Sequence, residues 1–321
     1  MQINDEVYGK SILKESVLEE LIFSNYISRL KGVSQFGMPS EYYHKKGFSR
    51  YEHSIGVMIL LRKLGAELKE QISGLLHDGS HTAFSHVIDW TLGDPTKEDY
   101  QDKNHLNSIK NSEIPKILSK HNIDYREISQ IENFFLLERE APDLCADRID
   151  YSLRELKTEG KNLNNIIQNL EVFQNEIVFK DFESAEYFAK EYMRLQSEHW
   201  GGSEARARYY LLSDILKKAI DRKILSLEDI WKGEDYDLIA KIRAKDLNLS
   251  KKLDMLKNGF KISETKNQGI FLEKKFRFVD PKILNGNQLK KLSELSEDYC
   301  SLLEKEKANS KIKKRVLING H

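Results

Sequence analysis

Proline is the residue this chain goes without: five occur in 321 residues, and none lies between Pro142 and Pro281. Proline removes a backbone donor and clashes with the preceding turn, so a stretch this free of it can run as helix. Apolar spacing says where. Leu18, Leu21, Ile22, Tyr26 and Leu30 predict a helix over 17–30, with Gly32 at its end. Ile55, Met58, Ile59 and Leu61 predict one beginning near Arg50, and Ile72, Leu75 and Leu76 one ending near His77-Asp78. Two more are expected over 134–137 and 144–156, separated by Ala141-Pro142-Asp143, whose proline suits a helix start. Phe188, Tyr192 and Leu195 carry a later helix, and Leu212, Ile215, Leu216 and Ala219 another beyond Gly201-Gly202.

Other segments read differently. Residues 31–49, with Gly32, Gly37, Pro39 and Gly47, predict an ordered loop. Alternation in Glu171-Val172-Phe173 and Ile177-Val178-Phe179, around Gln174-Asn175-Glu176, predicts a short hairpin. Phe271, Phe276 and Phe278 alternate with charge and predict strands near the C-terminus. The expected fold is all-α with that hairpin and a small α+β C-terminal extension. Its parts are residues 1–160 as core, 161–235 as helical continuation, and 236–321 as extension.

Charge narrows the function. Lys and Arg total 51 against 51 Asp and Glu, a balance that argues against a general nucleic-acid binder. The run Lys311-Ile312-Lys313-Lys314-Arg315 reads as a solvated tail. No apolar run approaches the ~20 residues needed to span a bilayer, and the acidic start Asn4-Asp5-Glu6 is unlike a signal peptide. Two isolated cysteines, Cys145 and Cys300, suit a reducing compartment and exclude a cysteine zinc finger. A cytoplasmic location is expected, and a homo-oligomer is compatible with the sequence.

Histidine marks the chemistry. Of nine, five (His53, His77, His81, His86 and His105) crowd one part of the chain. Imidazole and carboxylate are metal ligands, and an ion needs several from different elements. His77-Asp78 offers one of each; His53 comes from an earlier helix and Asp147 from a later one. Arg50 and Arg148, each beside such a block, are placed to bind phosphate. Tyr151 and Glu155, four residues apart on the last helix, could face a substrate.

These blocks resemble the HD-domain metal-dependent phosphohydrolases, whose ligand set is His, then His-Asp, then a distant Asp. The flanks resemble in particular the deoxynucleoside triphosphate triphosphohydrolase branch, through Arg50-Tyr51-Glu52-His53-Ser54, His77-Asp78-Gly79-Ser80-His81-Thr82-Ala83-Phe84-Ser85-His86 and Asp147-Arg148-Ile149-Asp150-Tyr151. The opening Asn4-Asp5-Glu6-Val7-Tyr8-Gly9 is similar too. The resemblance implies one divalent ion (Mn, Fe, Co, Ni, Zn or Mg) on His53, His77, Asp78 and Asp147, and a nucleotide as substrate. It further implies His86 with His105 as the proton-handling pair, His81 on the scissile phosphate, Gln35 on the sugar, and Tyr151 with Glu155 at the nucleoside.

The chain departs from that branch in places. Cys145 stands where a second acidic residue is usual, and His105-Leu106 replaces a His-Glu pair. Two alternatives follow: a phosphomonoesterase or phosphodiesterase with a second metal on His81, His86 or His105, and a nucleotide-binding regulator without turnover.

Overall fold

The computed structural model describes every residue except 266–267, 272–274, 313–314 and 320–321. At its centre stands the helix Arg50–Lys63, buried without interruption from His53 to Leu61. A helix enclosed on all sides has no polar face to keep, so its residues are apolar or functional. Ser49 opens it with a capping box: the Ser49 hydroxyl accepts from the Glu52 amide, and the Glu52 carboxylate from the Ser49 amide. Leu68–Leu76 packs along one side, where Gly74 lets Leu61 and Val57 approach; an added Cβ would lie 2.4 Å from Leu61. Ala146–Thr158 packs along the other.

Three expected helices differ from the structure. Residues 17–30 form Ser16–Ile22, Asn25–Ser28 and a 3-10 turn Arg29–Gly32, because the Ser24 side chain accepts the Ile27 amide and starts a new helix. Residues 134–137 form a turn: the Leu136 amide donates to the Glu70 carboxylate at 2.7 Å, and the Leu137 amide is shared between that carboxylate at 3.1 Å and the Phe134 carbonyl at 3.0 Å. The next helix opens at Ala146, several residues past Pro142, with Cys145 at its cap.

The fold is mainly helical, but the all-α description fits only roughly, since three small sheets occur among the described residues. The first is an N-terminal hairpin, Gln2–Asp5 with Gly9–Ile12, which the sequence reading did not anticipate. The second contains the expected hairpin, Leu170–Phe173 with Glu176–Phe179, turned by Gln174 and Asn175 at positive φ (50° and 61°). Lys282–Asn285 joins that hairpin in parallel, and Gln288–Lys291 follows it. Val279, Ile283, Tyr299 and Leu303 thereby enter the same apolar core as the Arg50–Lys63 helix.

The third sheet is Lys261–Thr265, Arg315–Asn319 and Ile270–Phe271. Arg315 therefore belongs to a paired strand and not to a solvated tail; Lys313 and Lys314 lie outside the described residues. Of the strands expected over 270–279, only Ile270–Phe271 forms, and 272–274 lie outside the described residues. Phe276 and Phe278 stack on each other, ring centroids 5.7 Å apart, and pack against the main core.

Candidate metal centre

Three elements deliver the cluster. His53 lies in the first turn of Arg50–Lys63, Asp147 in the first turn of Ala146–Thr158, and His77 caps the end of Leu68–Leu76 with Asp78 directly after it. His77 is thus at a helix terminus and not within a helix, which lets neighbours 77 and 78 face one point. His53 Nε2 is 2.9 Å from Asp147 Oδ1 and 3.3 Å from His77 Nε2, and His77 Nε2 is 3.5 Å from Asp147 Oδ1. Asp78 stands at the edge, its oxygens 3.5 Å from His77 Nε2 and 3.7 Å from His53 Nε2. Ligand atoms of His53, His77 and Asp147 all lie within 4.8 Å of one another, and Asp78 is outside that tighter group. Arg50 accounts for this: its guanidinium holds Asp78 Oδ2 at 2.6 Å and Ser85 Oγ at 2.8 Å.

Hydrogen bonding tests whether a cation fits. His77 Nδ1 is 2.7 Å from the Gly74 carbonyl, and His53 Nδ1 is 2.8 Å from Asp150 Oδ2. Carbonyl and carboxylate oxygens are acceptors, so each ring donates from Nδ1 and turns its Nε2 inward to the cluster. Two Nε2 atoms 3.3 Å apart with carboxylate oxygens beside them need positive charge between them, and a metal cation or protons can supply it. Without a metal, protons supply that charge. Burial pushes His53 down, but hydrogen bonds to Asp147 and Asp150 outweigh it and raise its pKa to about 9. His77 is likewise raised against burial, by Asp78 and Asp147. Burial opposes ionisation of Asp78, yet the Arg50 charge leads the effects that hold it well below the usual carboxylate range. A divalent ion bound here would act as a Lewis acid toward a phosphate oxygen.

The remaining histidines divide. His81 is not on the helix of His77, so helical spacing does not relate them; its Nε2 is 3.3 Å from Asp78 Oδ1. Burial, then the Arg50 charge, holds it neutral, well below its ordinary value. His86, the more open ring, stands edge-on to His81 at 4.9 Å and pairs through Nδ1 with Asp89 at 3.2 Å. His105 turns instead to Ser80, 3.1 Å from Nδ1, and burial lowers its pKa to about 4. His86 and His105 thus have different partners.

The loop between His81 and His86 is strained: buried Phe84 and Ser85 have φ of 63° and 45°. Asp235 holds it, accepting the Phe84 amide at 2.7 Å and the Ser34 amide at 2.8 Å, and so ties the loop carrying His86 to the loop carrying Gln35. Gln35 itself has a buried Oε1 with no hydrogen-bond partner among the described residues.

The expected substrate residues on the Asp147 helix are already engaged. Arg148 donates to the Asp143 carbonyl at 2.6 Å and the Arg139 carbonyl at 3.1 Å, and lies 3.2 Å from Cys145 Sγ. A second group, Glu138, Cys145 and Asp147, has the spacing of a metal site, but the Arg148 cation already occupies its side. Tyr151 bonds Tyr192 through their hydroxyls at 2.6 Å and packs edge-on against Trp200. Glu155, 1 % exposed, accepts from His199, from Trp200 Nε1 at 2.7 Å, and from Lys45 at 3.3 Å.

Sequence reasoning gave no place at the site to Asp150, Asp89, Asp235 or the pair of buried Glu98 with half-buried Arg277. Asp150 and Asp89 lie three residues after Asp147 and His86, a spacing that puts them on the same helical face. Asp235 and Arg277 carry no comparable local signal.

The HD-domain family pattern matches residues 50–222, and the chain belongs to that family. It is 38% identical to the uncharacterized protein YdhJ of Bacillus subtilis over 99% of this chain and 98% of that one. It is 31% identical to the metal-dependent phosphohydrolase cns2 of Cordyceps militaris, over 75% of this chain and 72% of that protein. A crystallised phosphohydrolase from Bacteroides thetaiotaomicron shares the fold, with a TM-score of 0.74 at 19% identity and 99% coverage of both chains. No helix among the described residues is long and apolar enough to cross a membrane.

Proposed function

We propose that this chain is a metal-dependent phosphohydrolase acting on a nucleotide, with a (deoxy)nucleoside triphosphate as its leading substrate. The observation that carries the reading is the pair of inward Nε2 atoms 3.3 Å apart beside Asp147, an arrangement that a divalent cation fits. His53, His77, Asp147 and Asp78 hold the ion. Arg50 and His81, both against Asp78, face the phosphate, and His86, oriented by Asp89, handles the proton that the leaving oxygen needs. His105 keeps its place behind the ligands as a neutral positioning group. Gln35, with an unpartnered buried oxygen, is offered to a substrate hydroxyl. The triphosphate and the nucleotide rest on the motif resemblance alone.

A second reading, a nucleoside monophosphate as substrate, is favoured by Arg148, whose guanidinium is spent on backbone carbonyls and leaves less positive charge for a long phosphate chain. A nucleotide panel incubated with Mn²⁺, Mg²⁺, Co²⁺, Ni²⁺ or Zn²⁺ and analysed by product mass separates the two. Tripolyphosphate or pyrophosphate release supports the first, orthophosphate from monophosphates the second, and no turnover with any ion overturns both. Asp78→Ala is expected to lose metal and hydrolysis together; a metal-free, fully active variant would contradict the metal reading.

A further inference from the structure

The N-terminal hairpin reaches the metal cluster through an unbroken line of charge-assisted hydrogen bonds. Its first strand ends at Asp5, whose Oδ1 accepts the Val7 and Tyr8 amides at 2.8 and 2.9 Å and so shapes the turn. The other oxygen, Oδ2, accepts from Arg154 Nη2 at 2.6 Å. Arg154 Nε donates to Asp150 Oδ2 at 2.7 Å, and that same oxygen accepts His53 Nδ1 at 2.8 Å. All four side chains are nearly or wholly buried. The ring of His53 ends, on its far side, at Asp147 and His77.

Space has been reserved for this line. It crosses the Arg50–Lys63 helix at Gly56, where an added Cβ would lie 1.8 Å from Arg154 Nη2 and 2.2 Å from Asp150 Oδ1. Any side chain there would displace the pair. Asp150 Oδ2 accepts from Arg154 Nε and from His53 Nδ1 at once, so the guanidinium fixes where the oxygen facing His53 stands. Asp5 in turn fixes Arg154, which would otherwise be a long side chain with several conformations.

We propose that Asp5 and Arg154 are positioning residues of the metal centre: acting through Asp150, they hold the His53 proton on Nδ1 and keep Nε2 free for the ion. This rests on the reading of His53 as a metal ligand. Partners behind a metal-bound histidine set its tautomer and orientation, and their loss typically costs ~10–100-fold in metal affinity. The turn at residues 5–9 is in this account a support of the site, although it contributes no ligand.

The test is Mn²⁺ titration of the full chain by calorimetry, with melting temperature measured in parallel on metal-free protein. Arg154→Met is expected to weaken Mn²⁺ binding ~10–100-fold. Asp5→Asn, which keeps the turn's acceptor but sets an amide against Arg154, is expected to weaken it roughly 3–10-fold, with Asp5→Glu restoring part of the loss. Arg62→Met is the matched control: it breaks the Arg62–Glu15 pair at the other end of the same helix, 2.8 Å at its shortest, and should lower stability while leaving Mn²⁺ affinity unchanged. If Asp5→Asn and Arg154→Met behave as that control does, losing only melting temperature, the proposal is overturned; should Arg154→Met not fold, Asp5→Asn alone decides. His53→Gln separates the underlying reading: undiminished Mn²⁺ binding there would remove His53 as a ligand, whatever the other variants do.

Discussion

Two faces of the helix Ala146–Thr158 can be set side by side. One carries Asp147 and Asp150 toward His53, where ring nitrogens and carboxylates from separate elements face one another and a proton or a cation must balance them. The other carries Arg148, Tyr151 and Glu155, and each of these has its partners within the chain. The positive charge on the first face is exchangeable between protons and a metal ion, whereas the second face is held by fixed partners, so a cation fits the first and not the second.

Removing the first face should cost most. Asp147→Ala is expected to abolish metal binding and lower turnover by roughly a thousandfold or more, the scale of a lost Lewis acid; metal analysis and kcat on one preparation check it. His86→Ala, at the exposed side of the cluster, should retain the metal and lose ~10²–10⁴-fold in kcat. Equal loss of metal in both variants would erase the distinction between ligand and proton carrier.

Titration gives a smaller effect with a definite sign. His53 is raised from its ordinary 6.5 to about 9 in metal-free protein. Its stabilising contribution is complete below pH 6.5 and disappears as pH rises through 9, a difference of up to about 3 kcal/mol. Metal-free protein should therefore melt lower at pH 9.5 than at pH 6.5, while Mn²⁺ affinity rises over the same window as protons leave the ligand. Thermal melts with chelator and with Mn²⁺ read both trends, and a flat metal-free profile would contradict them.

The second face should answer in stability. Arg148→Met is expected to cost about 1–3 kcal/mol by stranding the Asp143 and Arg139 carbonyls, with kcat/KM within a few-fold of the native value. A large kcat/KM loss with little change in melting temperature would instead return Arg148 to the substrate.

The same contrast explains what was legible beforehand. His53, His77, Asp78 and Asp147 stand in three ordered blocks, each set by a local helix start or end, and such local signals survive in sequence. Asp89 and Asp150 were within reach, because a three-residue helical step relates each to a residue already singled out. Arg148 was not. Its carbonyl partners lie in the segment before the helix, where the Leu136 and Leu137 amides go to Glu70 from another element. Asp235 joins two loops far from it in sequence, and the parallel pairing of Phe179 with Ile283 depends on a contact that no local pattern announces. The break in 17–30 came from one serine whose hydroxyl outcompeted the helical period.

The central claim is that side chains from two helices and from the end of a third share one ion. Crystals of the Mn²⁺-loaded protein, with anomalous differences collected at the manganese edge, test it directly. A single peak about 2 Å from His53 Nε2, His77 Nε2 and Asp147, with Asp78 completing the set, is the predicted result. A peak at other residues, or none at a Mn²⁺ concentration that supports turnover, would contradict it.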